Sequence, residues 1–181
     1  MPGESSVGPE TSASRGRVEA GGNAKLALIA VAALALGALV YVLDRSAATV
    51  YLLPQRMSFA DGQHVWFGAL DGYLPAFVHV YAFILLTVVF CPWPARVWAI
   101  CGLWWGLDSL FELGQHPALA PGIAAALPAW WQHVPLLDHA ANYFLHGTFD
   151  PLDLLAIALG TFAAYVTVSI ARREVHHVST P

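Results

Sequence analysis

Acidic residues stand where an apolar segment of the sequence ends. Asp108 and Glu112 lie four residues apart near the end of the stretch Val97–Leu113, and Gln115 follows. At about 100° per residue, these three side chains fall on one face of a helix. Carboxyl groups held close together in an apolar environment could carry protons, bind a cation, or act as general acid and base. The alternative is that the helix leaves the membrane at Asp108 and that both acids are hydrated.

The length of this segment favours the first interpretation for Glu112. The apolar stretch ahead of Asp108, residues 98–106, has only nine residues. A membrane span needs about 20 residues. A span of ordinary length must therefore continue past Asp108, close to Gln115. We expect Glu112 to be a functional group or a structural hydrogen-bond partner.

Two further acids, Asp150 and Asp153, flank Pro151 at the start of the last apolar segment. An aspartate at the N-cap, a proline at the first helical position and an acid in the first turn are typical of a helix start. Capping alone therefore explains these residues. The predicted topology favours a role beyond capping. The last segment starts on the side of the membrane where the segment carrying Glu112 ends, so these acids would lie near Glu112.

Histidines complete the candidate site. His79 lies near the start of the second apolar segment, and a short surface helix from Asp138, ended by Gly147, would let His146 cover the pocket. No metal-ligand or nucleophile motif is visible, so we predict no metal and no cofactor, and the sequence leaves open whether the protein is an enzyme. The candidate pocket residues are Glu112, Gln115, Asp150, Asp153, Asp108, His79 and His146.

The composition is that of a membrane protein. Hydrophobic residues make up 57% of the 181 residues and charged residues only 11%, against about 25% charged in soluble domains. The net charge of -4 and the absence of a basic stripe argue against a nucleic-acid partner. The lipid bilayer is the expected environment.

The apolar segments predict an all-α fold: an integral membrane bundle of four transmembrane helices with a long outer loop carrying short interfacial helices. The predicted spans are about 26–43, 73–90, 97–114 and 151–171, within a transmembrane domain of residues 24–173. Residues 1–23 are predicted to be a disordered cytoplasmic tail and residues 174–181 a second cytoplasmic tail. A cleaved signal peptide is the alternative for the first span, although its apolar run is longer than usual.

Basic residues set the predicted orientation. One side of the spans holds six of them and the other side holds Arg45 and Arg56. The positive-inside rule then places both termini in the cytoplasm of a bacterial cell, in a multi-pass protein of the inner membrane, with the acids near the outer surface. Small residues predict close helix packing: Gly102 and Gly106 would wedge the third span against the stripe 156–164 of the fourth.

Two of these segments resemble a known family. Glu112-Leu113-Gly114-Gln115 ends the third span, and the stretch 148–156, Thr-Phe-Asp-Pro-Leu-Asp-Leu-Leu-Ala, opens the fourth, with Gly160 following. This is similar to the VanZ-like membrane proteins, which have E-L-x-Q and R-x-F-D-x-x-D-L-L-A-N-x-x-G at these places, and His79 loosely fits their histidine-aromatic segment. Two positions depart from the pattern. The family's arginine falls on Gly147 here, and the neighbouring His146 is the candidate to replace that arginine. The family's asparagine falls on Ile157.

The resemblance implies a cell-envelope protein, because the best-known VanZ-like proteins give low-level teicoplanin resistance. The expected function is to bind or modify an envelope component, with an envelope lipid or a glycopeptide-related molecule as ligand. The alternative is a non-catalytic membrane subunit or scaffold with a membrane-protein partner. A proton- or cation-coupled carrier is a third hypothesis, and it would require a homo-oligomer.

Overall fold

The computed structural model describes residues 9–44, 66–91, 97–135 and 137–178. The described residues form helices and connecting turns and contain no strand, which confirms the all-helical prediction. Among the described residues, short 3-10 turns lie at Gly68–Leu70, Ala129–His133 and Leu137–His139. The α-helices are α1 (Pro9–Asp44), α2 (Leu74–Phe90), α3 (Val97–Gly114), α4 (Ala120–Ala126), α5 (Ala140–His146) and α6 (Pro151–Val178).

Both terminal helices are longer than the sequence predicted. α1 begins at Pro9, so residues 9–23 are helical and do not form a disordered tail. α6 continues to Val178, through most of the predicted second tail. A helix that an apolar segment has already nucleated adds residues at little further cost, and composition alone does not show this. Residues 1–8 and 179–181 lie outside the described residues.

α2 is the central helix of the bundle. It packs against α1, α3 and α6, and α6 also contacts α1 and α3. Val80, Ala82, Ile84 and Leu85 of α2 are completely buried. The sequence of α2 carries no charge on any face, and a helix that is apolar all round is stable only when its surroundings are apolar too.

Small residues bring α6 close to α2. A Cβ atom added at Gly160 would lie 2.5 Å from the carbonyl oxygen of Phe77, and Ala156 and Ala164 on the same stripe are buried. Gly102 and Gly106 of α3 behave differently, because a Cβ atom at either would meet open space. The predicted wedge of α3 against α6 through these two glycines is therefore wrong, and the stripe of α6 packs on α2 instead.

In the part of the chain that the structure describes, two stretches of helix are long and apolar enough to cross a membrane, Ala20–Asp44 in α1 and Pro151–Arg173 in α6. Both expose many large apolar side chains, such as Leu28 and Phe162, and a soluble protein seldom exposes so much apolar surface. These features indicate membrane association. Of the four predicted spans, α2 is apolar but has only 17 residues, and α3 carries two acids in its last two turns.

The segment between α3 and α6 contains short helices, as predicted. α5 ends at Gly147, the predicted terminator. Asp138 does not cap α5, however, because it lies within the preceding 3-10 turn and His139 occupies the N-cap position with no side-chain hydrogen bond. The carboxylate of Asp138 lies 3.7 Å from Nε2 of His139 instead.

An aspartate closes the connection between α1 and α2. The carboxylate of Asp44, the last residue of α1, accepts hydrogen bonds from the backbone N–H groups of Trp66 and Phe67, at 2.9 and 2.8 Å. The chain therefore returns to the end of α1 before α2 begins.

Candidate functional site

Four helix ends meet at one end of the bundle, where α1 and α3 end and α2 and α6 begin. The carboxyl groups of Asp108 and Glu112 on α3 and of Asp150 and Asp153 at the start of α6 lie there. We call this region, defined by these four residues, the acidic end. It contains six of the seven predicted site residues: the four acids together with His79 and Gln115.

Glu112 joins α3 to the start of α6. Its side chain is buried, with 8% of the residue exposed, and among the described residues it is the one buried charged group. The Oε1 atom accepts a hydrogen bond from the backbone N–H of Asp150 at 2.9 Å. A buried carboxylate is stable only when such donors replace water. Glu112 is therefore at least the structural hydrogen-bond partner that the sequence predicted.

Asp150 caps α6, as its position before Pro151 predicted. Its Oδ1 atom accepts a hydrogen bond from the N–H of Leu152 at 2.9 Å, and its carbonyl oxygen accepts one from the N–H of Asp153 at 3.0 Å. Asp153 is half-buried one turn along. The start of α6 is thereby joined to the end of α3.

His79 and Asp108 form a pair across α2 and α3. The Nδ1 atom of His79 lies 3.0 Å from Oδ2 of Asp108. The side chain of Asp108 is 10% exposed and that of His79 is 49% exposed. A carboxylate only accepts hydrogen bonds, so Nδ1 carries the hydrogen, and in the neutral imidazole Nε2 is left as an acceptor. The pair therefore presents a hydrogen-bond acceptor at the surface of the helices.

Aromatic side chains fix the position of this imidazole. The ring of Phe83 lies 4.4 Å from that of His79, centroid to centroid, and the ring of Trp104 lies edge-on at 6.5 Å. Trp104 in turn donates a hydrogen bond from Nε1 to Oγ1 of Thr87 at 2.9 Å. These contacts hold His79 between its own helix and α3.

Gln115 connects the end of α3 to α5. Its Nε2 atom donates a hydrogen bond to the hydroxyl of Tyr143 at 2.8 Å, and its Oε1 atom packs directly against Gly147, where a Cβ atom would overlap with it. Phe111 and Phe144 stack with their ring centroids 6.1 Å apart. α5 therefore lies over the last turn of α3.

Tyr143 is a site residue that the sequence reasoning missed. Burial raises its pKa to about 12, and the negative charge of Glu112 adds to this effect, although 37% of the residue is exposed. The hydroxyl therefore stays protonated at physiological pH and acts as a neutral hydrogen-bonding group. Its position one turn before Gly147 in a predicted surface helix was the available signal.

His146 does not cover the acids, in contrast to the prediction. It is exposed, and its Nδ1 atom lies 3.3 Å from the carbonyl oxygen of Asn142 in its own helix. Phe144 packs against Gly114 and orients α5. This turns Tyr143 toward Gln115 and leaves His146 at the surface.

A groove of about 110 Å³ runs between α1 and α2 beside the acidic end. Of the predicted site residues, His79 lines it, and the acids do not. Its walls are largely apolar and include Leu34, Gly37, Ala38 and Tyr41 from α1 and Val78 from α2. Within the described residues, no three His, Cys, Asp or Glu side chains are grouped so as to hold a metal ion.

Comparisons with known proteins identify no relative of this chain. No protein-family model, no curated protein and no solved structure matches it. The similarity to VanZ-like proteins therefore rests on the two sequence motifs alone.

Proposed function

We propose that this chain is a four-span bacterial inner-membrane protein of VanZ-like type that binds a cell-envelope component at the acidic end. The observation that carries the proposal is the His79–Asp108 pair. Its imidazole is half exposed, is oriented by a nearly buried carboxylate, and lies where four helix ends meet. An acceptor of this kind binds a hydrogen-bond donor on a ligand, and it could also accept a proton from one.

The dimensions of α2 and α3 support four spans. Their 17 and 18 residues give lengths of about 26 and 27 Å at about 1.5 Å per residue, close to the roughly 30 Å of the hydrocarbon core. Both helices pack against α6, which is long and apolar enough to cross the membrane. With both termini in the cytoplasm, as the basic residues predict, the acidic end faces the outside of the cell.

The acidic end combines two kinds of group. Glu112 and Asp150 are occupied with hydrogen bonds that join α3 to α6 and cap α6, so they provide the support. His79 and Tyr143 are the more exposed polar groups and would contact the ligand.

The contacts of Glu112 also favour a second candidate, a non-catalytic membrane subunit or scaffold. In that case the polar groups serve only to hold helices together, each hydrogen bond contributing about 0.6–2 kcal/mol. A fixed partner protein would then co-purify with the chain.

Complementation of a deletion strain separates the two candidates. We expect Asp108→Ala, which removes the acceptor that orients His79, to insert normally, to lose little thermal stability in detergent, and to abolish the envelope phenotype, scored as susceptibility to teicoplanin. Asp138→Ala, at an exposed acid outside the acidic end, is the matched control and should complement fully. Full complementation by Asp108→Ala would refute the binding function and favour the scaffold.

A further inference from the structure

The groove between α1 and α2 is formed by small residues on α1. At Gly37 the two helices touch, because an added Cβ atom would lie 2.7 Å from Cγ2 of Val78. The neighbouring Ala38 carries too short a side chain to fill the space beside this contact, and it is exposed. The groove is therefore a gap at the surface of two closely packed helices.

The size and position of the groove suit a hydrocarbon chain. From Leu34 to Tyr41 it follows α1 for about 10 Å at 1.5 Å per residue, and α1 is one of the candidate membrane spans. Its volume of about 110 Å³ is below the roughly 300–1,000 Å³ typical of pockets for compact ligands. In a bilayer, lipid chains rather than water would face it.

The groove ends at polar groups. Tyr41 and His79 both line it. Asp108 is contacted by Nδ1 of His79, so the Nε2 acceptor takes no part in that contact. A molecule that lies in the groove therefore places its head group beside this imidazole. The head group that fits an acceptor backed by a carboxylate is a hydrogen-bond donor.

The charge around this position favours a cation. Eight of the 12 acidic residues fall on this side of the predicted spans, against Arg45 and Arg56 among the eight basic ones. In the part of the chain that the structure describes, the Lys and Arg residues lie in the first half of α1 and the last turns of α6, away from the acidic end. An ammonium head group is attracted here, and an anionic one is repelled.

We propose that the groove binds one acyl chain of an aminophospholipid whose ammonium group donates a hydrogen bond to Nε2 of His79, close to Asp108. This assignment rests on the proposed function, since it names the class of envelope component that the acidic end binds. Phosphatidylethanolamine is the probe, and phosphatidylglycerol with identical chains lacks the ammonium group.

Native mass spectrometry of the full chain in detergent tests the assignment. We expect the wild type to retain phosphatidylethanolamine over phosphatidylglycerol by about tenfold, the size of one hydrogen bond to a charged group. Ala38→Leu fills the groove and should reduce retention, whereas Ala32→Leu, at an exposed alanine of α1 that does not line the groove, should not. His79→Ala should abolish the preference between the two lipids.

Equal retention of the two lipids by the wild type would overturn the assignment, as would unchanged retention in Ala38→Leu. The lipid ratio is measured within each folded sample, so a lower yield of a variant does not affect it. If the preference is absent but Asp108→Ala still abolishes the envelope phenotype, the lipid assignment is wrong and the proposed function stands. If the preference is present but Asp108→Ala complements fully, the lipid site stands and the proposed function fails.

Discussion

The carboxylate of Glu112 accepts a hydrogen bond from the backbone N–H of Asp150, 38 residues later in the chain, at 2.9 Å. The bond joins the last turn of α3 to the residue that caps α6. It satisfies a buried charge and a helix-start donor at once.

Removing this acceptor should destabilise the protein. Glu112→Ala leaves the N–H of Asp150 without its acceptor, at a cost of about 1–3 kcal/mol, which corresponds to a fall in Tm of several degrees for a chain of this size. Glu112→Gln keeps an amide oxygen as acceptor and should melt close to the wild type. Thermal unfolding in detergent measures the Tm of both variants. Equal Tm values for the alanine and glutamine variants would contradict a stabilising role of this hydrogen bond.

The contact between Gln115 and Gly147 predicts that no side chain is tolerated at position 147. The backbone there is extended, with φ -66° and ψ 155°, so the limit is space and not conformation. Gly147→Ala should displace Gln115 from Tyr143 and lower the Tm. Gly122→Ala in α4, where a Cβ atom meets open space, should be neutral or slightly stabilising. A Gly147→Ala protein that melts like the Gly122→Ala protein would refute this packing.

Tyr143 predicts a loss of stability at high pH. Its folded pKa of about 12 lies above the unfolded value of about 10, so the protonated hydroxyl is favoured in the folded state. The resulting stabilisation is fully present below about pH 10 and is lost as the pH rises toward 12. A pH titration followed by tyrosinate absorbance should show one tyrosine that ionises at a higher pH than the others in the wild type. This step should be missing in Tyr143→Phe. The prediction fails if the group missing from Tyr143→Phe titrates near pH 10.

The stripe of small residues on α6 predicts a contrast between two glycines. Gly160→Ala places a methyl group 2.5 Å from the carbonyl oxygen of Phe77, and overpacking of this kind costs about 1–3 kcal/mol. Gly106→Ala on α3 meets open space and should gain up to about 1 kcal/mol of helix stability. Melting curves of the two variants in the same detergent should therefore shift in opposite directions.

Local chemistry accounts for what the sequence predicted correctly. Asp150 before Pro151 marked the start of α6, Gly147 marked the end of α5, and uncharged runs of residues marked the helices. These features depend on residues within a few positions of one another, so they can be recognised without knowing the fold. The same holds for Gly160, since a stripe of small residues is visible along one helix. The four-span arrangement and the VanZ-like resemblance stay predictions.

The partners of the polar groups depended on the tertiary structure. The sequence placed Glu112, Asp108 and Gln115 on one helix face, but the structure joins them to three different partners: the N–H of Asp150, His79 and Tyr143. It also turns His146 away and leaves Gly102 and Gly106 in open space. The physical reason is that a helix carries its own pattern of polar and small residues, whereas its rotation against its neighbours is set by the packing of all the helices together.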